Sequence, residues 1–254
     1  IHTKWAGKTV HFAKETDSTN LWIKRLAKEG APQGTLALAE FQSAGRGRLG
    51  RSWEVPEGTS VMMSILLRPQ IHPMSASMLT LVAAMAVYDA ISSRVEGCAI
   101  KWPNDIVIDG RKVCGILTEM SSELDNIHYV VIGIGINVNT DDFPVDIASV
   151  ATSMHVITGA YYKRAEIIAD IWKAFEKYYD FFVQTENLVL MVDTYNQRLV
   201  NMDRRVMIEE RGHQYEGTAR GIDAEGGLLV ERDDGTTTSV ISGEVSVRGI
   251  LGYV

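Results

Sequence analysis

Residues 99–139 read AIKWPNDIVIDGRKVCGILTEMSSELDNIHYVVIGIGINVN. Val- and Ile-rich runs alternate here with the turn-forming combinations Pro103-Asn104-Asp105, Asp109-Gly110 and Asp125-Asn126. Asp109-Gly110 between two apolar runs predicts a tight hairpin. The whole stretch is therefore expected to form the centre of a β-sheet.

Working outward, Val10–Phe12, Leu36–Phe41 and Ser60–Leu67 are short apolar runs bounded by Gly, Pro or Ser, and they read as further strands. Between the first two lies Asp17-Ser18-Thr19-Asn20, then Leu21, Trp22, Leu26 and Ala27 at helical spacing, closed by Gly30 and Pro32. Capping residues before and Gly then Pro after predict a helix. Residues 73–95, from Pro73 to Val95, read as one long helix. Residues 163–182 and 185–200 show three- and four-residue apolar spacing and predict two more.

Beyond Asn201 short alternating runs begin: 205–208, 215–221, 228–231, 236–240 and 244–248, separated by turns at Arg211-Gly212, Glu225-Gly226-Gly227 and Asp233-Asp234-Gly235. Five strands in so few residues predict a small barrel of SH3-like size. The expected division is a domain of residues 1–202 followed by one of residues 203–254.

The chain has 254 residues, 46% hydrophobic and 22% charged, which excludes disordered and collagen-like classes. Lys and Arg number 25 against 32 Asp and Glu, a net charge of −7. That sign argues against wholesale wrapping of nucleic acid, so any polyanion must meet a local basic patch. Two cysteines, Cys98 and Cys114, make no disulfide framework and fit no zinc spacing; a reducing compartment, the cytoplasm, is expected. No run approaches the ~18 uninterrupted apolar residues of a membrane span, and the first residues do not read as a secretory leader, so none is expected. The chain opens on Ile1 rather than Met, which leaves room for upstream residues in a parent protein.

Gly45-Arg46-Gly47-Arg48-Leu49-Gly50-Arg51 packs three guanidinium groups and three glycines into seven residues of an acidic chain. Glycines let backbone amides approach an anion closely, and arginines add planar bidentate charge. The loop reads as a clamp for a phosphorylated ligand, set between two strands rather than on a free surface turn. It is neither a Walker loop nor a dinucleotide fingerprint. Lys101-Trp102-Pro103-Asn104-Asp105 combines a cation, an aromatic plane, a rigid turn, an amide suited to an adenine edge and a carboxylate. Lys112, seven residues on, could serve phosphate or carboxylate as a point charge, or sit solvated in a hairpin. Gly133 and Gly135 fall on one face of an apolar strand that ends at Asn137, so either something approaches the backbone there or the strand bulges.

Taken together, Asp17-Ser18-Thr19-Asn20, Gln42 with residues 45–51, Ser52-Trp53, residues 101–105, residues 110–115, residues 133–137 and Ala151-Thr152-Ser153 strongly resemble the bacterial biotin protein ligases, in order along nearly the whole chain. The resemblance implies an α+β catalytic domain of the class II synthetase-like biotin/lipoate ligase type, with a mixed central sheet backed by helices, followed by the SH3-like β-barrel. It implies activation of biotin by ATP to biotinoyl-5'-AMP with release of pyrophosphate. Transfer to a lysine of the biotin carboxyl carrier protein of acetyl-CoA carboxylase then follows.

On that resemblance the biotin site comprises Ser18, Thr19, Asn20, Gln42, Arg46, Gly47, Arg48, Lys112, Gly115 and Gly135. The ATP site comprises Arg48, Arg51, Trp53, Asn104, Lys112 and Asn137, with Lys112, Arg48 and Arg46 as the catalytic cations. Both partners of the first step are anions, so the chemistry needs positive charge and positioning rather than a nucleophilic side chain. The arginine loop is expected to order over the ligand. Mg2+ is expected with ATP, and no metal site of protein ligands is expected, the six histidines being scattered. Cys114 reads as a small buried hydrophobe. Leu49 stands where many relatives carry Arg or Gln, and residues 59–62 also depart from the family run.

The resemblance also implies a homodimer paired through a sheet edge when the adenylate is bound. Two other readings stay open: a lipoate or octanoate ligase on a related domain, and a bifunctional ligase and biotin-operon repressor. Only 17 residues precede Ser18, too few for a helix-turn-helix, so this chain by itself is expected not to bind operator DNA or a membrane.

Overall fold

A computed structural model of the chain describes residues 2–210, 212–241, 245–250 and 252–254. Arg211 and Glu244, which mark an expected turn and strand start in the C-terminal part, lie outside the described residues.

The first sheet contains β1 (Val10–Thr16), β2 (Leu36–Gln42), β3 (Ser60–Leu67), β4 (Cys98–Lys101), β5 (Asp105–Ile108), β6 (Arg111–Glu123) and β7 (Asn126–Asn137). Its strand order is β1-β2-β3-β7-β6-β5-β4, a mixed sheet as expected. β1 and β2 run parallel, joined by helix α1 (Thr19–Lys28), as a parallel pair requires a crossover. The other neighbours are antiparallel. The 99–139 stretch supplies the run from β4 to β7, with Asp109 and Gly110 at positive φ in the tight turn before β6. The second turn sits one residue earlier than expected. Glu123 pairs with Asn126, which leaves Leu124 and Asp125 to turn, with Leu124 at φ +50°.

Helix α1 covers one face of the sheet through Ile23 and Ala27 against Ala37, Leu66 and Val131. Helices α2 (Leu79–Ser92) and α4 (Arg164–Thr185) cover the other, with a short α3 (Met154–Thr158) between them in sequence. Residues 73–95 are not one helix: a 3-10 turn over Pro73–Met78 precedes α2. By length and composition Pro73–Ser92 could cross a membrane, but its helix lies in the core, with eleven of the fourteen α2 residues buried. The expected helix over 185–200 shrinks to α5 (Val192–Arg198), because α4 runs on to Thr185 and Glu186 ends it in the left-handed region. Arg68, just past β3, donates to the carbonyls of Ala27, Ala31 and His128 and thereby holds the end of α1 against the sheet.

The second sheet is antiparallel, in the order β11-β10-β9-β8-β12, from β8 (Arg205–Glu210), β9 (His213–Ile222), β10 (Leu228–Glu231), β11 (Thr237–Val240) and β12 (Val245–Gly249). Its apolar face continues the core of the first sheet. Trp102, fully buried, joins the two by donating Nε1–H to the Gly226 carbonyl at 3.0 Å.

Candidate active site

The start of α1 is built for polar recognition rather than for capping. Ser18 has the extended backbone of an N-cap, yet its side chain makes no cap hydrogen bond and lines a cavity instead. The Thr19 amide donates to Gln42 Oε1 at 2.7 Å, and the Thr19 hydroxyl donates to the same oxygen at 3.1 Å. Ser64 on β3 donates to Asn20 Oδ1 at 2.6 Å. Asn20 Nδ2 donates to Glu119 Oε2 at 2.8 Å. This network presents neutral donors and acceptors to one end of the cavity. Ser64 escaped the sequence reading, although a serine inside the apolar run 61–67 was the available signal.

The arginine loop is a closed hairpin. Arg46 bridges to Ser52, the Gly47 amide donates to Arg51 O at 2.7 Å, and the Trp53 amide donates to Gly45 O at 3.0 Å. Leu49 and Gly50 turn its tip at positive φ. The hairpin distributes its cations. Arg46 approaches Glu119 Oε1 at 3.6 Å, while that oxygen also pairs with Lys24 at 2.6 Å. Arg48 Nη1 donates to Asn104 Oδ1 at 2.8 Å. Burial pulls the Arg48 guanidinium below its ordinary value, the charge of Asp105 opposing and that of Arg51 adding to it.

Lys112 owes its direction to a β-bulge. Val107 pairs with Lys112 but Ile106 pairs with Cys114, so Val113 is an extra residue on β6. The shift puts Lys112 and Gly115, three apart in sequence, against one another: a Cβ on Gly115 would lie 3.1 Å from Lys112 Nζ. Lys112 Nζ pairs with Asp105 Oδ1 at 2.8 Å. Burial works to raise the Asp105 carboxyl, but the charges of Lys112 and Lys101 hold it below the usual carboxylate range. Cys114 is buried in the core, where desolvation pushes its thiol well above the ordinary value and disfavours the thiolate.

The glycine face is occupied by the protein's own side chains. A Cβ on Gly135 would lie 2.5 Å from Trp53 Cε2, and one on Gly133 would overlap Asn20 Oδ1. Trp53 thus lies over Gly135 and Gly115 and leaves a cavity of about 50 Å³, room for a few water molecules, among Ser18, Gln42, Arg46, Arg48 and Lys112. A second cavity of about 120 Å³ adjoins it, walled by Arg48, Arg51, Lys101, Lys112 and Arg248 around the single carboxylate of Asp105. Lys101, Asp105 and Arg248 are additions to the expected site residues. The first two stand inside a motif already singled out; Arg248 reaches the site only through the packing of the second sheet. Asn137 lines neither cavity. Its Nδ2 donates to Thr152 O at 3.1 Å, and among the described residues Asn137 Oδ1, Thr152 Oγ1 and Trp53 Nε1 are buried without a hydrogen-bond partner.

The arrangement brings a neutral polar network, a carboxylate-sized cation site and a five-cation cavity into one groove. It suits an elongated ligand with a polar head and an acid end, joined to a polyanion.

The family model "Biotin/lipoate A/B protein ligase family" matches residues 12–137, and "Biotin protein ligase C terminal domain" matches residues 202–248. The chain is 38% identical over 238 residues to the bifunctional ligase/repressor BirA of Bacillus subtilis, covering 92% of this chain and 73% of that protein. It is 32% identical over 239 residues to the biotin–[acetyl-CoA-carboxylase] ligase of Mycobacterium tuberculosis, covering 91% and 86%. A solved structure of the biotin protein ligase from Aquifex aeolicus in complex with biotin and ATP superposes with a TM-score of 0.83 at 29% identity, covering 95% of this chain and 99% of that one. The matches at both ends of the chain and the full-length superposition lead to one assignment: this chain belongs to the biotin protein ligase family.

Proposed function

We infer that this chain joins biotin to ATP and passes the activated biotin to a lysine of a biotin carboxyl carrier protein, that of acetyl-CoA carboxylase. The observation that carries the reading is the place of Lys112 and Arg48, between the neutral network at Thr19 and Gln42 and the five-cation cavity. Ser18, Thr19, Asn20 and Gln42 suit the uncharged ring system of biotin, which has donors and acceptors but no charge. Lys112 and Arg48 suit its carboxylate, and Arg51, Lys101 and Arg248 suit the phosphates beyond. Asn137 and Trp53 are assigned to the nucleotide by the family resemblance, although Asn137 lines neither cavity.

A carboxylate oxygen of biotin attacks the α-phosphorus of ATP, and the bond from that phosphorus to the bridging oxygen breaks as pyrophosphate leaves. Lys112 and Arg48 offset the repulsion of the two anions, a gain that is large where water is excluded. In the second step the carrier amine attacks the biotinoyl carbonyl, AMP leaves, and the amine loses a proton. Cover by the arginine hairpin keeps the mixed anhydride from water. Because the cavity over Gly135 holds only a few waters, the bicyclic ligand must displace the Trp53 indole as it enters.

Among the described residues no three His, Cys, Asp or Glu side chains converge as a metal cluster, and Asp105, already paired, does not make one. Magnesium enters this reading as the counter-ion that ATP brings, and no step above runs through it. A homodimer in the adenylate-bound state also goes with the reading. β1 is the free edge, with Val10 and Phe12 exposed, whereas β4 at the other edge is bridged by Leu199.

The test is transfer of labelled biotin to a carrier domain with ATP, read on a denaturing gel. Label on the carrier only when ATP and biotin are both present supports the reading. Calorimetric heat with lipoate and none with biotin would replace it by the lipoate alternative.

A further inference from the structure

Tyr253, in the segment that follows β12, reaches into the site, its hydroxyl donating to Oδ2 of Asp105, 148 positions away in sequence. The other carboxylate oxygen, Oδ1, takes Lys112 Nζ at 2.8 Å and Asn104 Nδ2 at 3.0 Å. Asp105 thus holds three donors, from its neighbour Asn104, from Lys112 across the β5–β6 hairpin and from Tyr253 near the C-terminus. Its neighbourhood is built rather than incidental. The Lys101 ammonium lies 4.2 Å from the Tyr253 ring centroid and donates to Val247 O at 2.9 Å. Gly252 pairs with Gly249, where a side chain would overlap the Val254 carbonyl, and Val254 Cγ2 reaches Gly110 in the β5–β6 hairpin. The segment 252–254 is therefore wedged between β12 and that hairpin.

A buried carboxylate needs donors on both oxygens. With Lys112 and Asn104 on one oxygen and nothing on the other, the carboxyl group could rotate and carry the ammonium with it. The tyrosine hydroxyl fixes the plane of the carboxylate and hence the direction of Lys112. We propose that Tyr253 is a positioning residue for Lys112, acting through Asp105, so that the C-terminal sheet completes the geometry of the reacting centre. The proposal rests on the ligase reading for the role of Lys112, but the contact itself can be tested without substrate.

Tyr253→Phe keeps the ring over which Lys101 sits and removes only the hydroxyl. Biotin- and ATP-dependent pyrophosphate release is expected to lose about tenfold in kcat. The acid limb of its pH profile should move to higher pH, because Asp105 loses a donor that favours its charged form. In an Asp105→Asn background the same change should cost nothing further. A Tyr253→Phe enzyme with unchanged rate and acid limb, or losses that multiply in the double variant, overturns the proposal. Carbon-13 titration of the Asp105 carboxyl in the ligand-free chain decides the contact independently: an upward shift in Tyr253→Phe supports it, and an unmoved titration overturns it. Failure of the ligase reading would show separately, as wild-type chain inert with biotin and ATP.

Discussion

Arg48 Nη1 donates to Asn104 Oδ1 at 2.8 Å, and Asn104 Nδ2 in turn donates to the Ile116 carbonyl at 3.2 Å. The arginine hairpin is thereby tied to the turn ahead of β5 and, through it, to β6. Arg48→Gly breaks the tie and removes charge from both cavities. The adenylate is then expected to escape and to acylate lysines of unrelated proteins added to the assay, detected by avidin blotting. Unchanged selectivity for the carrier domain would count against the hairpin as a lid.

Lys112→Ala should lower biotin-dependent pyrophosphate release about 10²–10³-fold, since two anions then meet without the ammonium between them. Near-normal release would remove this lysine from the chemistry.

Burial pulls Lys101 down to about 8, with Asp105 opposing and Lys112, Arg248 and Arg48 reinforcing the fall. Below that pH its charge serves the phosphate cavity; above it the charge is lost. The value of kcat/KM for ATP should therefore fall on an alkaline limb near pH 8, because this ratio reports the free enzyme. In Lys101→Met that limb should vanish while the rate at low pH starts lower. The sign for stability is opposite: the unfolded chain binds more protons between about 8 and the ordinary lysine value, so folding gains as pH rises through that window. A limb that persists in Lys101→Met would assign it to another group.

Gly135→Val places branched carbons where the Trp53 indole lies, given the 2.5 Å approach of a bare Cβ to Cε2. Trp53 must shift, so indole fluorescence should change in the free protein and adenylate formation should drop by at least about tenfold. Wild-type activity in this variant would show that the ring can leave the glycine face at no cost.

Trp102→Ala removes a fully buried ring and the hydrogen bond to Gly226 that joins the two sheets. A loss of about 3–5 kcal/mol in urea unfolding is expected. A loss below about 1 kcal/mol would mean that the junction repacks or that the sheets unfold separately.

Much of the scaffold was readable because short-range chemistry specified it. Ser60–Leu67 coincides with β3, an apolar run between polar borders, and Leu228–Glu231 coincides with β10 between two glycine turns. What escaped depends on contacts far apart in the chain. Short α3 carries too few residues for a periodic signal, its Ser153 cap and the left-handed Gly159 at its end being the local cues. The bulge at Val113, which aims Lys112, depends on how β5 pairs and has no mark in the local pattern. The arginines of the 45–51 loop and Lys112 could be picked out by charge in an acidic chain, and Asn104 by its place in a Pro-Asn-Asp turn. Tyr253 and Arg248 could not, since they sit among ordinary barrel residues until the second sheet docks.

Acid will not dismantle this molecule evenly. Arg25 is tied to Asp17 and Lys24 to Glu119, carboxylates held below their ordinary range by those cations and by hydrogen bonds, with burial resisting. Each such tie lapses once its acid takes up a proton. Arg68 answers only to peptide oxygens, those of Ala27, Ala31 and His128, which have no proton to gain. As protonation of those carboxylates strips the outer clasps from the first helix, its far end stays pinned, and that corner is the last to let go.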